Sequence, residues 1–215
     1  IADTIYVQDW WYPLTFTNTR IGVEPALAGF AIGGISSALY RGVCGRSAVR
    51  FVRDARTHLR AGLELVCLIS SMIVLLFGSF YLLDINSLAS TLIAAVVPLG
   101  VMYMKRPDLV PMSLISGGLL VIVAAIVYAF VEVMTPGWVQ ALWSFQNVPA
   151  IIIVSLPLDD IVFYFLTGAV IGPLYEYGKG IAFMSGAKTT YFLSGSIPGQ
   201  SGSSRIESAL PPGAN

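Results

Sequence analysis

A single histidine, His58, stands among the 215 residues. That scarcity excludes every site built on two or more imidazoles, including haem pairs, the H-E-x-x-H metalloenzymes and most copper or di-iron centres. Cysteine is nearly as rare. Cys44 and Cys67 form no C-x-x-C pair; the first falls at an expected membrane edge and the second inside an expected helix, which predicts free thiols and no disulfide. Charge is sparse too, at 11% of residues, with a formal net charge of zero. Binding a nucleic acid needs a basic surface, so no nucleic-acid partner is expected.

What fills the chain instead is apolar: 56% of residues are hydrophobic and the mean hydropathy is +0.77. A soluble domain is about 45–50% apolar and about a quarter charged, so both quantities are displaced toward the membrane. Crossing about 30 Å of hydrocarbon takes roughly 20 apolar residues in a helix. Five segments qualify: Val23 to Val43, Ala61 to Leu83, Ser87 to Met104, Leu109 to Val131, and a fifth inside the long stretch from Pro149 to Tyr177. Pro157, Asp159 and Asp160 divide that stretch. Proline and acids favour a helix N-terminus, which makes Ala150 to Leu156 a short entering segment and starts the span at the aspartates. The expected fold is an all-α integral membrane protein of about five transmembrane helices. A single domain over residues 1–184 is followed by a Gly/Ser/Pro-rich tail, 185–215.

The basic residues orient these spans. Arg41, Arg46, Arg50, Arg53, Arg56 and Arg60 crowd the first loop, Lys105 and Arg106 the third, and Lys179, Lys188 and Arg205 follow the last span. With five spans all of them share one side, leaving Arg20 opposite. The positive-inside rule makes that side cytoplasmic, with the N-terminus outside. Trp10, Trp11, Trp138 and Trp143 then fall on the outer side, as interfacial anchors. From Arg46 to Arg60 the spacing of three or four predicts a cytoplasmic helix lying on anionic headgroups, with a partner-binding surface as the alternative. The tail has the composition of a disordered segment that orders against a partner, which points to a larger complex. The chain starts at Ile1, leaving open a removed leader or an upstream helix.

An internal repeat is expected. VEPALAGFAIGGISSALYRGV, residues 23–43, lies ungapped over LDDIVFYFLTGAVIGPLYEYG, residues 158–178. Phe30 meets Phe165, Gly33 meets Gly168, Leu39 and Tyr40 meet Leu174 and Tyr175, and Glu24 meets Asp159. The two spans run the same way, as a parallel repeat with halves of about 9–83 and 109–184 requires. Its acids admit two readings. They can cap helix amides and favour the dipole, worth about 0.3–1 kcal/mol. Alternatively, Glu24, Asp159 and Asp160 are held partly out of water. Neighbouring carboxylates there cannot all ionise cheaply, so one keeps its proton and serves as a general acid. Tyr164 and Thr167 share the helical face of Asp160, at i+4 and i+7, where they line its cavity or make interhelical hydrogen bonds. Gly29, Gly33 and Gly34 predict a close-packing face, Glu64 and Glu132 snorkel at span ends, and a Glu176–Lys179 pair closes the fifth span.

Asp9-Trp10-Trp11 and Pro13, then Gly22-Val23-Glu24 and a Gly-Phe-x-x-Gly-Gly run, resemble one half of the lycopene cyclase domain family. Pro157-Leu158-Asp159-Asp160 with Phe165, then Ile171-Gly172-Pro173-Leu174-Tyr175-Glu176-Tyr177, resemble its other half. The resemblance covers about residues 9–43 and 150–180. It implies a small all-helical enzyme of a prokaryotic cytoplasmic membrane that performs redox-neutral, acid-catalysed cyclisation of a linear carotenoid end group and needs no cofactor. Carried over by position, Asp159 and Asp160 match the acidic pair and Glu24 the first acid of the other half. Phe30, Tyr164 and Thr167 then become candidate substrate contacts, and membrane lipid and a carotenoid or other isoprenoid the expected partners. Pro25 stands where the family has a second acid. This keeps open a non-catalytic accessory subunit of a membrane complex that has kept the fold. A proton-coupled transporter ranks third, because the acids lie near one interface.

Overall fold

The computed structural model describes residues 2–12, 15–16, 23–44, 48–50, 55–146, 151–179 and 181–183. Five helices are long and apolar enough to cross a membrane: α2 (Glu24–Cys44), α3 (Ala55–Leu83), α4 (Ser87–Lys105), α5 (Val110–Met134) and α7 (Leu158–Lys179). They match the spans expected from hydropathy to within a few residues, apart from an earlier start to α3. The chain is therefore a multi-pass helical membrane protein. Two short helices were not anticipated, α1 (Asp3–Asp9) and α6 (Trp138–Leu142).

Local chemistry sets the boundaries. The Asn86 side chain accepts the Ala89 N–H at 2.8 Å and caps α4, while Asp9 reaches across from α1 to accept the Ser87 N–H at 2.9 Å. Each satisfies one of the amides that a helix start leaves unpaired. A 3-10 turn over Pro107–Leu109 carries the chain into α5, where proline at the first helical positions costs no hydrogen bond. After α5, Glu132 accepts the Gly137 N–H at 2.8 Å. Gly137 itself has φ +81°, a conformation glycine adopts without penalty.

The segment expected to enter the last span is a hairpin. β2 (Ile152–Ile153) pairs antiparallel with β3 (Leu156–Pro157) through Val154 and Ser155, both at positive φ. Two consecutive residues in that region form the tight turn whose twist suits a two-residue hairpin. The arginine segment also departs from expectation. β1 (Ala48–Arg50) pairs antiparallel with β4 (Ile181–Phe183), so the three- and four-residue spacing of its basic residues does not mark one continuous helix. Arg46, Arg53 and the tail 185–215 lie outside the described residues.

Helix α7 is the hub and touches each of the other four spans. Glycines make this possible. A Cβ on Gly168 would sit 2.6 Å from the Ser116 carbonyl oxygen, and one on Gly172 would sit 2.6 Å from the Ser116 side chain. Small residues at a membrane helix interface let backbones approach and gain dispersion contact. Around Gly29, Gly33 and Gly34 an added Cβ would meet nothing within 4 Å, so those glycines form no packing face among the described residues. Leu99, Met102, Leu109, Met112 and Ala169 fill the core at one end of the bundle; Trp10, Tyr128, Val139, Trp143 and Leu156 fill it at the other. At the C-terminal end of α7, Glu176 pairs with Arg41 at 2.8 Å and not with Lys179, because the neighbouring helix brings the guanidinium to a buried carboxylate. Glu64 likewise takes Lys105 at 3.3 Å and the Tyr177 hydroxyl at 3.1 Å.

Candidate active site

Pro157 ends β3 and the next residues open α7, which sets Asp159 and Asp160 in its first turn. Both are buried, at 1% and 6% exposure. Asp160 is held from two directions. The Trp10 indole N–H donates to Oδ1 at 3.2 Å and the Tyr128 hydroxyl donates to Oδ2 at 2.6 Å. Asp159 Oδ1 accepts the Asp160 N–H at 3.0 Å, and its Oδ2 is buried with no partner among the described residues. None of the ion pairs among the described residues reaches either aspartate. Removing a carboxyl group from water without a cation is costly, which makes such a pair a functional candidate.

Aromatic rings build the walls. Tyr128 lies 4.9 Å from Trp138, 5.8 Å from Trp143 and 6.1 Å from Tyr164, centroid to centroid. Trp10 lies 5.0 Å from Tyr6 and 6.0 Å from Phe163, both edge-on. The short α1 ends at Trp10, its C-cap residue. It is tied down by Asp9 on α4, by the Ser144 hydroxyl donating to the Trp10 carbonyl at 3.1 Å, and by the Tyr12 N–H donating to the Leu142 carbonyl at 2.7 Å. Ring faces carry negative potential, so this enclosure suits a developing carbocation better than an anion.

Next to the cage, on the other side of Tyr6 and Phe163, an apolar cavity of about 260 Å³ lies among α1, α3, α4 and α7. Thr167 lines it, as do Met72, Leu76, Ala95 and Leu166. Of the residues singled out in the sequence, the structure gathers Asp159, Asp160 and Tyr164 at the cage and Thr167 at the cavity. Glu24 starts α2 and accepts the Phe16 N–H at 2.5 Å; no hydrogen bond or ion pair joins it to the aspartates among the described residues. Phe30 points outward at 85% exposure. Sequence reasoning did not find Trp10, Tyr128, Trp143 or Phe163 as neighbours of the acid. Trp10 lay within the Asp9-Trp10-Trp11 motif, and Tyr128 is a hydroxyl inside an otherwise greasy span, so a signal existed for both. Their pairing over 150 and 32 residues did not show.

An all-helical, multi-pass membrane protein with a caged pair of carboxyl groups is the class that this fold and this site define. Within the chain, residues 86–178 match the model of the lycopene cyclase family, the family the sequence resembles. The match takes in α4, α5, α6 and α7 with Asp159, Asp160 and Tyr128. It extends through the middle of the chain, between the two stretches that carry the sequence resemblance, and it leaves residues 9–43 outside. No curated protein and no solved structure matches the chain.

Proposed function

We propose that this protein is a carotenoid cyclase of the lycopene cyclase type, closing a ring at the end of a linear carotenoid by proton transfer alone. The observation that carries the reading is the buried Asp160 carboxyl, which has two hydrogen-bond donors, no cationic partner among the described residues and aromatic walls. The family match over α4 to α7 supports it. In the proposed reaction Asp160 gives a proton to the terminal double bond, and the electron pair of a second double bond closes a six-membered ring on the cation. A carboxylate then removes a ring proton. One proton enters and one leaves, so the product is an isomer of the substrate and no redox partner takes part. Asp159, with an unpartnered oxygen beside Asp160, is the proposed acceptor. The Tyr128, Trp138, Trp143 and Trp10 rings stabilise the cation and exclude water that would trap it.

The N-terminus outside, C-terminus cytoplasmic orientation in a prokaryotic membrane belongs to the same proposal. So does the repeat of α2 in α7. One fact favours the repeat: its equivalent positions Arg41 and Glu176, 135 residues apart, are hydrogen-bonded at 3.0 Å, as two parallel, level helices require. Glu24 is a third proposed acid. That no hydrogen bond or ion pair among the described residues ties it to the aspartates, with Pro25 beside it, favours the accessory-subunit alternative. Expression in cells that accumulate lycopene separates the two. The native chain yields cyclised pigment by chromatography, and Asp160→Asn lowers the yield by about 10²–10⁴-fold, the usual worth of a general acid. Unchanged lycopene with a membrane-inserted, folded native chain rejects the enzyme and leaves the subunit.

A further inference from the structure

We propose that the 260 Å³ cavity holds the terminal segment of the linear polyene, laid along α7 with its reacting end toward Asp160. This rests on the cyclase reading and gives it a substrate channel. The cavity residues of α7 are Phe163, Leu166, Thr167, Val170 and Ile171, the pattern of one helical face. Asp160 stands on that face, three residues before Phe163 and seven before Thr167. From Phe163 to Ile171 the axis advances about 12 Å, at 1.5 Å per residue. The acid therefore lies on the same helix just beyond the Phe163 end of the cavity, with the Tyr6 and Phe163 rings between them.

The lining asks for an apolar guest. No charged side chain contributes to it, and its Tyr6 and Thr91 hydroxyls bond each other at 3.0 Å. The volume is just under the range of about 300–1,000 Å³ usual for small-molecule sites, so only a chain terminus fits inside. The remainder lies in the bilayer past Ile69 and Ile73 of α3, which line the cavity and are 43% and 44% exposed. At the acid end Tyr6 and Phe163 meet edge-on at 5.8 Å, and both rings rest against Trp10, whose N–H holds Asp160. A lipid acyl chain shares the linear apolar chemistry. Aromatic rings gathered at the acid end favour the polyene, because its terminus is the part that becomes cationic.

The test reads binding without turnover. Asp160→Asn protein is purified from lycopene-accumulating cells, and the pigment retained per protein is measured by absorbance. Pigment co-purifies, and filling the cavity from α7 with Thr167→Trp, or from α4 with Ala94→Phe, lowers it at least tenfold. Ile122→Trp on the exposed face of α5, away from the cavity, leaves it unchanged. Where an interior variant elutes as aggregate, Ile73→Trp at the open side, where bulk is tolerated, replaces it with the same expected loss. Pigment undiminished by the fillers overturns the proposal, as does a purified protein carrying only lipid acyl chains by mass spectrometry. Cyclisation by the native chain with pigment undiminished by the fillers refutes the cavity alone; pigment lost on filling but never cyclised by the native chain refutes the cyclase reading alone.

Discussion

Replacing Gly168 with alanine tests whether the α5–α7 contact positions the acid. The added Cβ would stand 2.6 Å from the Ser116 carbonyl oxygen, 2.9 Å from Gly117 Cα and 3.0 Å from Leu120 Cβ, where ordinary contact begins at 3.4 Å. The first two are backbone atoms that no rotamer change can move. Relief requires α5 and α7 to separate by about 0.8 Å, the shortfall at Ser116. Overpacking of this kind costs about 1–3 kcal/mol, and an immovable backbone puts it near the top of that range. Alanine returns about 1 kcal/mol through helix propensity, leaving a net loss of about 2 kcal/mol, roughly 30-fold in the unfolding equilibrium. At Gly118, on the same α5, an added Cβ would meet nothing within 4 Å, so Gly118→Ala is expected to be neutral or stabilising by up to about 1 kcal/mol. Reversible unfolding in mixed micelles compares the two. The same separation carried along α5 stretches the Tyr128–Asp160 bond from 2.6 Å to about 3.4 Å, beyond useful O–H···O range, so Gly168→Ala also loses activity. A Gly168→Ala protein as stable as Gly118→Ala refutes the packing and its link to the site.

Two further perturbations probe the ends of the bundle. Tyr128→Phe strips Asp160 Oδ2 of its donor and leaves Trp10 on Oδ1; the hydroxyl bonds most strongly to the carboxylate left when the proton departs, a charged-group bond worth about 1.5–3 kcal/mol, so turnover is expected to fall roughly 10- to 150-fold, and a wild-type rate contradicts the role of the hydroxyl. Arg41→Leu leaves the Glu176 carboxylate, 1% exposed, without its partner. The expected loss is about 3 kcal/mol, the low end for a buried pair because Arg41 is partly in solvent, and Arg41→Leu/Glu176→Leu recovers most of it in a double-mutant cycle. Additive losses in that cycle would show the pair to be idle.

The long helices were legible because each is an apolar run bounded by charge, proline or glycine, and that signal is local. Helices α1 and α6, at seven and five residues, are too short for a periodic pattern, and their importance comes from where Trp10 and Trp138 arrive. The four tryptophans read as interfacial anchors. Two of them, Trp10 and Trp143, are instead 3% and 8% exposed and pack at the acid site, because in a bundle an aromatic ring near a span end can turn inward as readily as outward. The same non-locality misled the reading of Glu176: Lys179 is three residues away in sequence, yet the buried carboxylate faces Arg41 of another helix. Small residues were recognised in α2 as a packing face, but the close approach falls at Gly117, Gly168 and Gly172. Composition shows that a glycine permits contact, and only the neighbour decides whether contact is made. The aspartate pair was found from the sequence because proline and acids at a span entry are a local pattern. The two donors to Asp160 come from Trp10 at the end of α1 and Tyr128 of α5, and the rings around it also from α6, Trp143 and α7; no spacing rule connects them.

The most direct measurement follows the proton. Membranes containing the protein are supplied with lycopene in heavy water, and any cyclised product is weighed by mass spectrometry. Proton transfer from an exchanging carboxyl predicts a product isomeric with lycopene that carries a single solvent deuterium for each ring formed, and at least a hundredfold less of it from Asp160→Asn. A cyclised product without deuterium, or one formed equally well by Asp160→Asn, would contradict Asp160 as the acid.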